Sequence, residues 1–493
     1  MLARRSCLIL AVLLILLAGC ERDQVTSPEP TGPDATVASD LDAELLAGEI
    51  MAVSGWAFDP AAEVPAHARG TDTKDLTWLR DWSREVLIDD IVHYTYLVQL
   101  GPGEYDRIRL HRVVREAQPQ RPIQTPHTIF LQHGDAVGFV KFLYGPAAPS
   151  APQDHAAAIH LAQQDIDVWG IDQNWVLVPV DVADFGFMQD WGMDNQIANL
   201  RLAMAAGRYA RYFGGSGFGK LPLLGYSSGG WLAMAYANGE AVMPAYRQHA
   251  GALVIADAYY EIGPDNPEGM AVNCGDAAAI EQDLANGIYE WWVGFEEVGR
   301  YALDDPEGDS PIFEGFTNRQ VALYFGCAGF RDYPLNAWWH YWGGEFDGDP
   351  EDPNSLPIDT RFLPQEWAFE FMTTASPWQA NAFFYDYNRI SCEDYDVPWD
   401  DNLAQITVPV LNLGGAGGLA PSNWYTLDML GSTDIEEVVV QLLPDEQRFE
   451  DFGHIDMWTA TDAAALVWAP LADWTIAHSG DDADQHPLGG GRD

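Results

Sequence analysis

The chain has 493 residues, 74 of them acidic and only 25 basic, for a formal net charge of −49. A surface of that sign repels nucleic-acid backbones and anionic headgroups, which argues against a nucleic-acid-binding role. With 47% hydrophobic and 12% aromatic residues it can bury a large core, so a disordered chain is set aside too.

Arg4 and Arg5 precede an apolar run from Leu8 to Ala18, too short to span a bilayer and suited to a signal peptide over residues 1–19. The run ends in Leu17-Ala18-Gly19-Cys20, which resembles the lipobox of bacterial lipoproteins. That resemblance implies cleavage before Cys20, lipid on that cysteine, and an exported protein anchored to a membrane surface, with the outer membrane as the working location. The Pro-, Ser-, Thr- and Asp-rich stretch that follows suggests a flexible tether, placed over residues 20–50. Cys274, Cys327 and Cys392 remain, so at least one is unpaired within the chain, and no Cys/His spacing suggests zinc.

From residue 51 the pattern alternates. "HYTYLVQL" (93–100) and "YDRIRLHRVVRE" (105–116) flank Gly101-Pro102-Gly103 and predict a hairpin. "HTIFLQHG" (127–134) predicts a buried strand ending at a loop, and "DHAAAIHLAQQ" (154–164) a helix before the strand "DVWGID" (167–172). "NQIANLRLAMAAGRYARYF" (195–213) has helical spacing; "LPLLGY" predicts a strand, "GGWLAMAYANG" a helix and "GALVIADAYY" (251–260) a strand. Such alternation predicts a mostly parallel sheet covered on both faces. It stops over residues 263–402, where Trp, Tyr, Phe, Asp and Pro dominate, and resumes at 403–480 with "ITVPVLNLGG", "EEVVVQLL" and a last helix. One core in two parts, 51–262 and 403–480, with an inserted cap and an acidic tail at 481–493, is the simplest account.

Residues 214–230, "GGSGFGKLPLLGYSSGG", hold two competing motifs. The left half nearly matches a phosphate-binding loop, but it follows a helix and precedes a strand, the reverse of what an anion at a helix N-terminus requires. Leu221 also stands where a magnesium-binding hydroxyl belongs. The right half is a strand running into Gly225-Tyr226-Ser227-Ser228-Gly229 and then a helix, the setting of a nucleophile elbow with Ser227 at its tip. A serine needs a base, and His454 in "DFGHIDMWTA" lies between the last strand and the last helix. The oxyanion of a tetrahedral intermediate needs donors: the N–H of Ser228, and the N–H of Asp135 in "FLQHGD", with Gly134 permitting close approach and His133 shaping the loop.

His133-Gly134, "DVWGID", Gly225 to Gly229, "ITVPVL" and "FGHID" occur in the order of the α/β-hydrolase superfamily, and the chain resembles its esterase/lipase type over about 90–262 and 403–480. The resemblance implies Ser-His-acid hydrolysis of a small-molecule ester or lipid, without a cofactor, and a lid in place of the insertion. One departure stands out. The loop after "VPVLNL", where most members carry the acid, is "GGAGGLAP" and has none. Some members supply the acid from the end of the strand after the nucleophile helix, which here is Asp257. A carboxylate ending a buried strand must be capped or paired, and His454 would satisfy it. Asp428, Asp434 and Glu261 are weaker candidates. An amidase or peptidase on the same triad, and a silent binding protein with this fold, stay open. The tryptophans of the insertion suit an apolar pocket wall or the cap's own core. Its acidic run 345–354 falls short of a calcium loop, with Asp352 and Ile358 where glycine and glutamate belong.

Overall fold

The computed structural model describes residues 40–70, 76–331, 338–392 and 394–479. The expected signal peptide, Cys20 with residues 21–39, and the acidic tail therefore lie outside the described residues. Within them, no helix is long and apolar enough to cross a membrane.

One sheet organises the chain. Its strands are β1 (Leu79–Ile88), β2 (Ile91–Gln99), β3 (Arg107–Gln118), β4 (Thr128–Gln132), β5 (Asp167–Asp172), β6 (Leu221–Tyr226), β7 (Ala250–Ala256), β8 (Val410–Gly415) and β9 (Ile435–Val440). Their order is β1-β2-β3-β5-β4-β6-β7-β8-β9, with the short stretch Arg121–Pro122 pairing beside β3. The β1/β2, β2/β3 and β3/β5 pairs are antiparallel and the rest parallel. Strands β4, β5, β6 and β8 are buried at every residue, as expected of strands covered on both faces. Pro222 is tolerated inside β6 because the pairing with β7 shifts register there.

Helices of seven or more residues are α1 (Asp40–Ser54), α2 (Ala157–Gln163), α3 (Met193–Phe213), α4 (Ser228–Ala241), α5 (Pro267–Ala285), α6 (Phe295–Asp304), α7 (Asn318–Cys327), α8 (Gln365–Met372), α9 (Asn381–Ile390) and α10 (Ala469–His478). The two faces of the sheet have separate apolar cores. One joins Phe130, Trp169 and Leu223 to α3 and α4; the other joins Leu131, Val168 and Leu224 to α2 and α10. The glycine-rich stretch before β6 is a helix-to-strand turn with Gly215 and Gly217 at φ of 87° and 82°. No helix N-terminus follows it to receive a phosphate.

The structure corrects one boundary. Residues 40–50, expected to belong to the tether, form most of α1. Ala43, Leu46, Ala47 and Ile50 recur at helical spacing and are buried against the core that includes α3. Glu49 accepts hydrogen bonds from the N–H groups of Thr77 (2.6 Å) and Leu79 (2.9 Å), which ties α1 to the start of the sheet. Asp40 and Asp42 occupy the first turn, where acidic side chains favour a helix. Strand β1 carries no clear period in sequence, because most of it is exposed at the sheet edge.

The insertion leaves the core between β7 and β8. It contains α5 to α9 and two small antiparallel ribbons, Glu290–Trp292 with Trp378–Ala380 and Gly344–Phe346 with Pro357–Thr360. A disulfide joins Cys274 of α5 to Cys392 just after α9, and Cys327 is free and buried. Val298, Leu323, Trp342, Phe369 and Met372 form a core of its own that also takes in Tyr144 and Ile455 from the sheet domain. Trp342 is thus structural, whereas Trp291 and Trp292 are half exposed. In the acidic run, Asp347 and Asp349 accept the N–H groups of Leu356 and Glu351, so both act as turn-capping carboxylates.

Candidate active site

Ser227 lies between β6 and α4 with φ 56° and ψ −128°, a backbone state that costs a non-glycine residue about 1–3 kcal/mol. The fold holds it there: its N–H donates to Ala256 O (3.0 Å) and its carbonyl accepts the N–H of Gly230 (2.7 Å). Two approaches are too close for a side chain. A Cβ on Gly229 would stand 2.2 Å from His133 O, and one on Gly134 would stand 2.6 Å from Ser227 Cβ. The loop after β4 is therefore pressed directly against the elbow. Neither the Asp135 N–H nor the Ser228 N–H has a hydrogen-bond acceptor among the described residues. His133 is buried and its Nε2 accepts the N–H of Gln173 (3.0 Å), so Nδ1 carries the proton that it donates to Gly134 O (2.7 Å). Burial, the largest influence, lowers its pKa to about 4 and keeps the ring neutral.

Asp257 and His454 meet. His454 Nδ1 donates to Asp257 Oδ2 at 2.5 Å, with both side chains nearly or wholly buried. The histidine is held from three sides. Its N–H donates to His340 O (2.9 Å), its carbonyl accepts Tyr226 Oη (3.0 Å), and its ring stacks on Tyr226 with centroids 4.7 Å apart. Asp257 has φ 47° and follows β7 directly. Its Oδ1 accepts the N–H groups of Gly415 (3.2 Å) and Ala420 (3.0 Å), and Oδ2 that of Leu419 (3.0 Å). The loop without an acid is thus a cradle of backbone donors for an acid that comes from the neighbouring strand. With three N–H donors on it, the carboxylate is the acceptor in the bond to His454, which leaves Nε2 as the imidazole's lone-pair nitrogen. The other acids lie elsewhere: Asp428 is exposed, Asp434 stands 3.6 Å from His478, and Glu261 is coupled to Asp400.

Three side chains at this site escape sequence reasoning. Lys141 is buried, with its Nζ 4.4 Å over the centre of the Tyr226 ring; burial lowers its pKa to about 7 against the pull of Asp135 and Asp172. Gln379, on the inserted ribbon, is 2% exposed. The Asp135 side chain itself is enclosed, and burial raises its pKa. A lone lysine among only three in the chain was a usable signal for the first; nothing in the local pattern marks the other two. The insertion also grips the loop after β4, since Ser376 donates both N–H (2.5 Å) and Oγ (2.7 Å) to Ala136 O. Two groups of metal-ligating residues exist among the described residues, and neither includes a residue of this site. In Cys274, Cys392 and Asp394 the cysteines are spent on the disulfide; Asp434, Glu436 and His478 lie at the far edge strand.

No family model matches the sequence, and no curated protein does. Among solved structures, the chain superposes on a Sulfolobus solfataricus protein assigned as a lipase, with TM-score 0.52 and 16% identity over 80% of this chain and 99% of that one. The chain has the α/β-hydrolase fold. A Saccharomyces cerevisiae monoglyceride lipase solved with a substrate analogue also matches, at TM-score 0.40 and 11% identity over 82% of this chain and 97% of the other. So does a peroxisomal α/β-hydrolase from the same yeast, at TM-score 0.36 and 13% identity over 83% and 93%. In this fold, ligands lie beyond the carboxyl ends of the parallel strands, where Ser227, Asp257 and His454 all stand.

Proposed function

We propose that the chain is a serine hydrolase that cleaves carboxylic esters, made as an exported lipoprotein anchored through Cys20. The observation that carries the reading is the His454–Asp257 bond, with the carboxylate cradled by three N–H groups, beside a serine in a strained elbow. In the reaction, Ser227 Oγ attacks the ester carbonyl carbon and its proton passes to His454 Nε2. Asp257 fixes the ring's tautomer and stabilises the imidazolium. The Ser228 and Asp135 N–H groups bind the oxyanion. The intermediate collapses to an acyl-Ser227 as His454 returns the proton to the departing alkoxide. Water, deprotonated by the same base, then releases the acid. Chain order and the unpaired donors both favour this use of the groups over a silent binding role.

Fluorophosphonate labelling followed by intact-mass spectrometry tests it. The folded protein should gain one phosphonyl adduct and Ser227→Ala none. Folded protein that gains nothing would turn the site into a binding pocket with a relic serine. The cradle makes a second expectation. A Cβ on Gly418 would stand 2.2 Å from Asp257 Oδ2, so Gly418→Ala should displace the carboxylate and lower kcat about 10²-fold, read by steady-state ester hydrolysis. Unchanged kcat would mean that the acid's placement does not matter.

A further inference from the structure

We propose that the His340 imidazole, carried by the insertion, is a positioning residue for the catalytic base; this rests on the serine-hydrolase reading above. His340 is wholly buried and reaches both loops that build the Asp257–His454 pair. Its N–H donates to Gly417 O (3.1 Å) in the cradle loop, and its carbonyl accepts the N–H of His454 (2.9 Å). The next residue repeats the pairing, with Tyr341 O accepting the N–H of Ile455 (2.7 Å). The ring is wedged between the same two loops. A Cβ on Gly417 would stand 2.3 Å from its Cε1, and one on Gly453 would stand 2.8 Å from its Cδ2. Backbone pairing needs no particular side chain, but the ring adds a contact that does. Its Nε2 lies 2.7 Å from Asp451 O, and its Nδ1 lies 2.8 Å from Trp338 O. Carbonyls only accept, so a neutral imidazole can donate to one of the two. Burial, the largest influence, lowers the His340 pKa and keeps the ring neutral at pH 7, although both carbonyls and the Asp451 and Asp257 carboxylates pull the other way. Asp451 decides where the proton sits. It is wholly buried, and Nε2 is the one donor to its carbonyl among the described residues, whereas Trp338 is partly exposed. A buried carbonyl left without a donor is costly, so the proton belongs on Nε2. That bond pins the first residue of the run Asp451-Phe452-Gly453-His454, and His340 O pins the last. One residue of the insertion thus fixes both ends of the segment that delivers the base.

Glutamine and asparagine test the assignment, because their amide nitrogens stand in for Nε2 and Nδ1 respectively. On an ester that the intact protein hydrolyses, His340→Asn should lower kcat about 10²-fold with KM little changed, the loss expected when a catalytic group moves by about 1 Å. His340→Gln restores a donor to Asp451 O and should recover most of that loss. Fluorophosphonate labelling of Ser227 should follow the same order, since it draws on the same base. A ring that only filled space would not separate the two amides. Thermal melts of both variants ensure that the rates are read on folded protein. Equal collapse of His340→Gln and His340→Asn, or an unaffected His340→Asn, overturns the proposal. Nitrogen NMR of the wild-type imidazoles needs neither variant to fold: His340 should carry its proton on Nε2. A bare Nε2 in an active enzyme would sink this proposal alone. Wild-type protein that is neither labelled nor active would overturn the hydrolase reading itself, and the role of His340 with it.

Discussion

Asp257→Asn should lower kcat about 10⁴-fold while leaving KM and the melting temperature close to wild type. The geometry explains why so small a change acts so strongly. Asp257 accepts four hydrogen bonds, three from the cradle and one from His454 Nδ1. Asparagine has one acceptor oxygen. If that oxygen stays with Gly415 and Ala420, the amide NH₂ faces Nδ1 and donates to it, which moves the ring proton to Nε2. The base would then present a hydrogen to Ser227 where it needs a lone pair. Fluorophosphonate labelling should slow with kcat, because the same proton transfer activates the serine toward both reagents. Nitrogen NMR of the imidazole reports the tautomer directly and separates this cause from a collapse of the loop. Activity of Asp257→Asn within tenfold of wild type would remove Asp257 from the triad.

How this acid could be read in sequence, and how far, shows what kind of information is local. The elbow is legible because a strand, two glycines and a helix constrain one residue within a few positions, and Gly229 meets His133 O as that pattern demands. The fold class is legible because β4, β5, β6 and β8 are buried at every residue and read as short, mostly apolar segments alternating with helices. Asp257 is legible as a candidate only through its place at a buried strand end. What the loop 414–420 does is invisible, since a run of glycines and alanines states freedom of backbone and not the direction of its N–H groups. The left-handed turn at Asp257 has no sequence mark either. The insertion resists reading for another reason: its strands are three or four residues long, and its order rests on a disulfide spanning 118 residues and on contacts with the core. Helix α1 fails through composition, because the polar segment before it colours the whole stretch as linker.

A second aspartate of the same sheet should have the opposite phenotype. Asp167 opens β5 at the amino end of the parallel strands, away from the elbow, and is wholly buried. Arg112 reaches both its oxygens (2.8 and 2.9 Å), and Arg211 donates to Oδ2 (2.7 Å). Asp167→Asn would leave two buried guanidinium groups without a counter-charge, which costs about 3–5 kcal/mol. The urea midpoint should fall accordingly, whereas kcat of the protein that remains folded should stay within a few-fold of wild type. Burial pushes the Asp167 pKa up, but the charges and hydrogen bonds of Arg112 and Arg211 outweigh it and hold the carboxyl below its ordinary value. Its contribution is therefore complete above the unfolded-state pKa of about 3.9 and is lost only as pH falls through the lower folded value. The stability gap between wild type and Asp167→Asn should thus be constant from neutral pH to about pH 5 and close in stronger acid. A variant that kept its stability and lost its activity would reverse the assignment of the two strand ends. Asp257 spends four hydrogen bonds on orienting one imidazole, and Asp167 spends its charge on joining β3, β5 and α3, so kcat and the urea midpoint should move independently in the two variants.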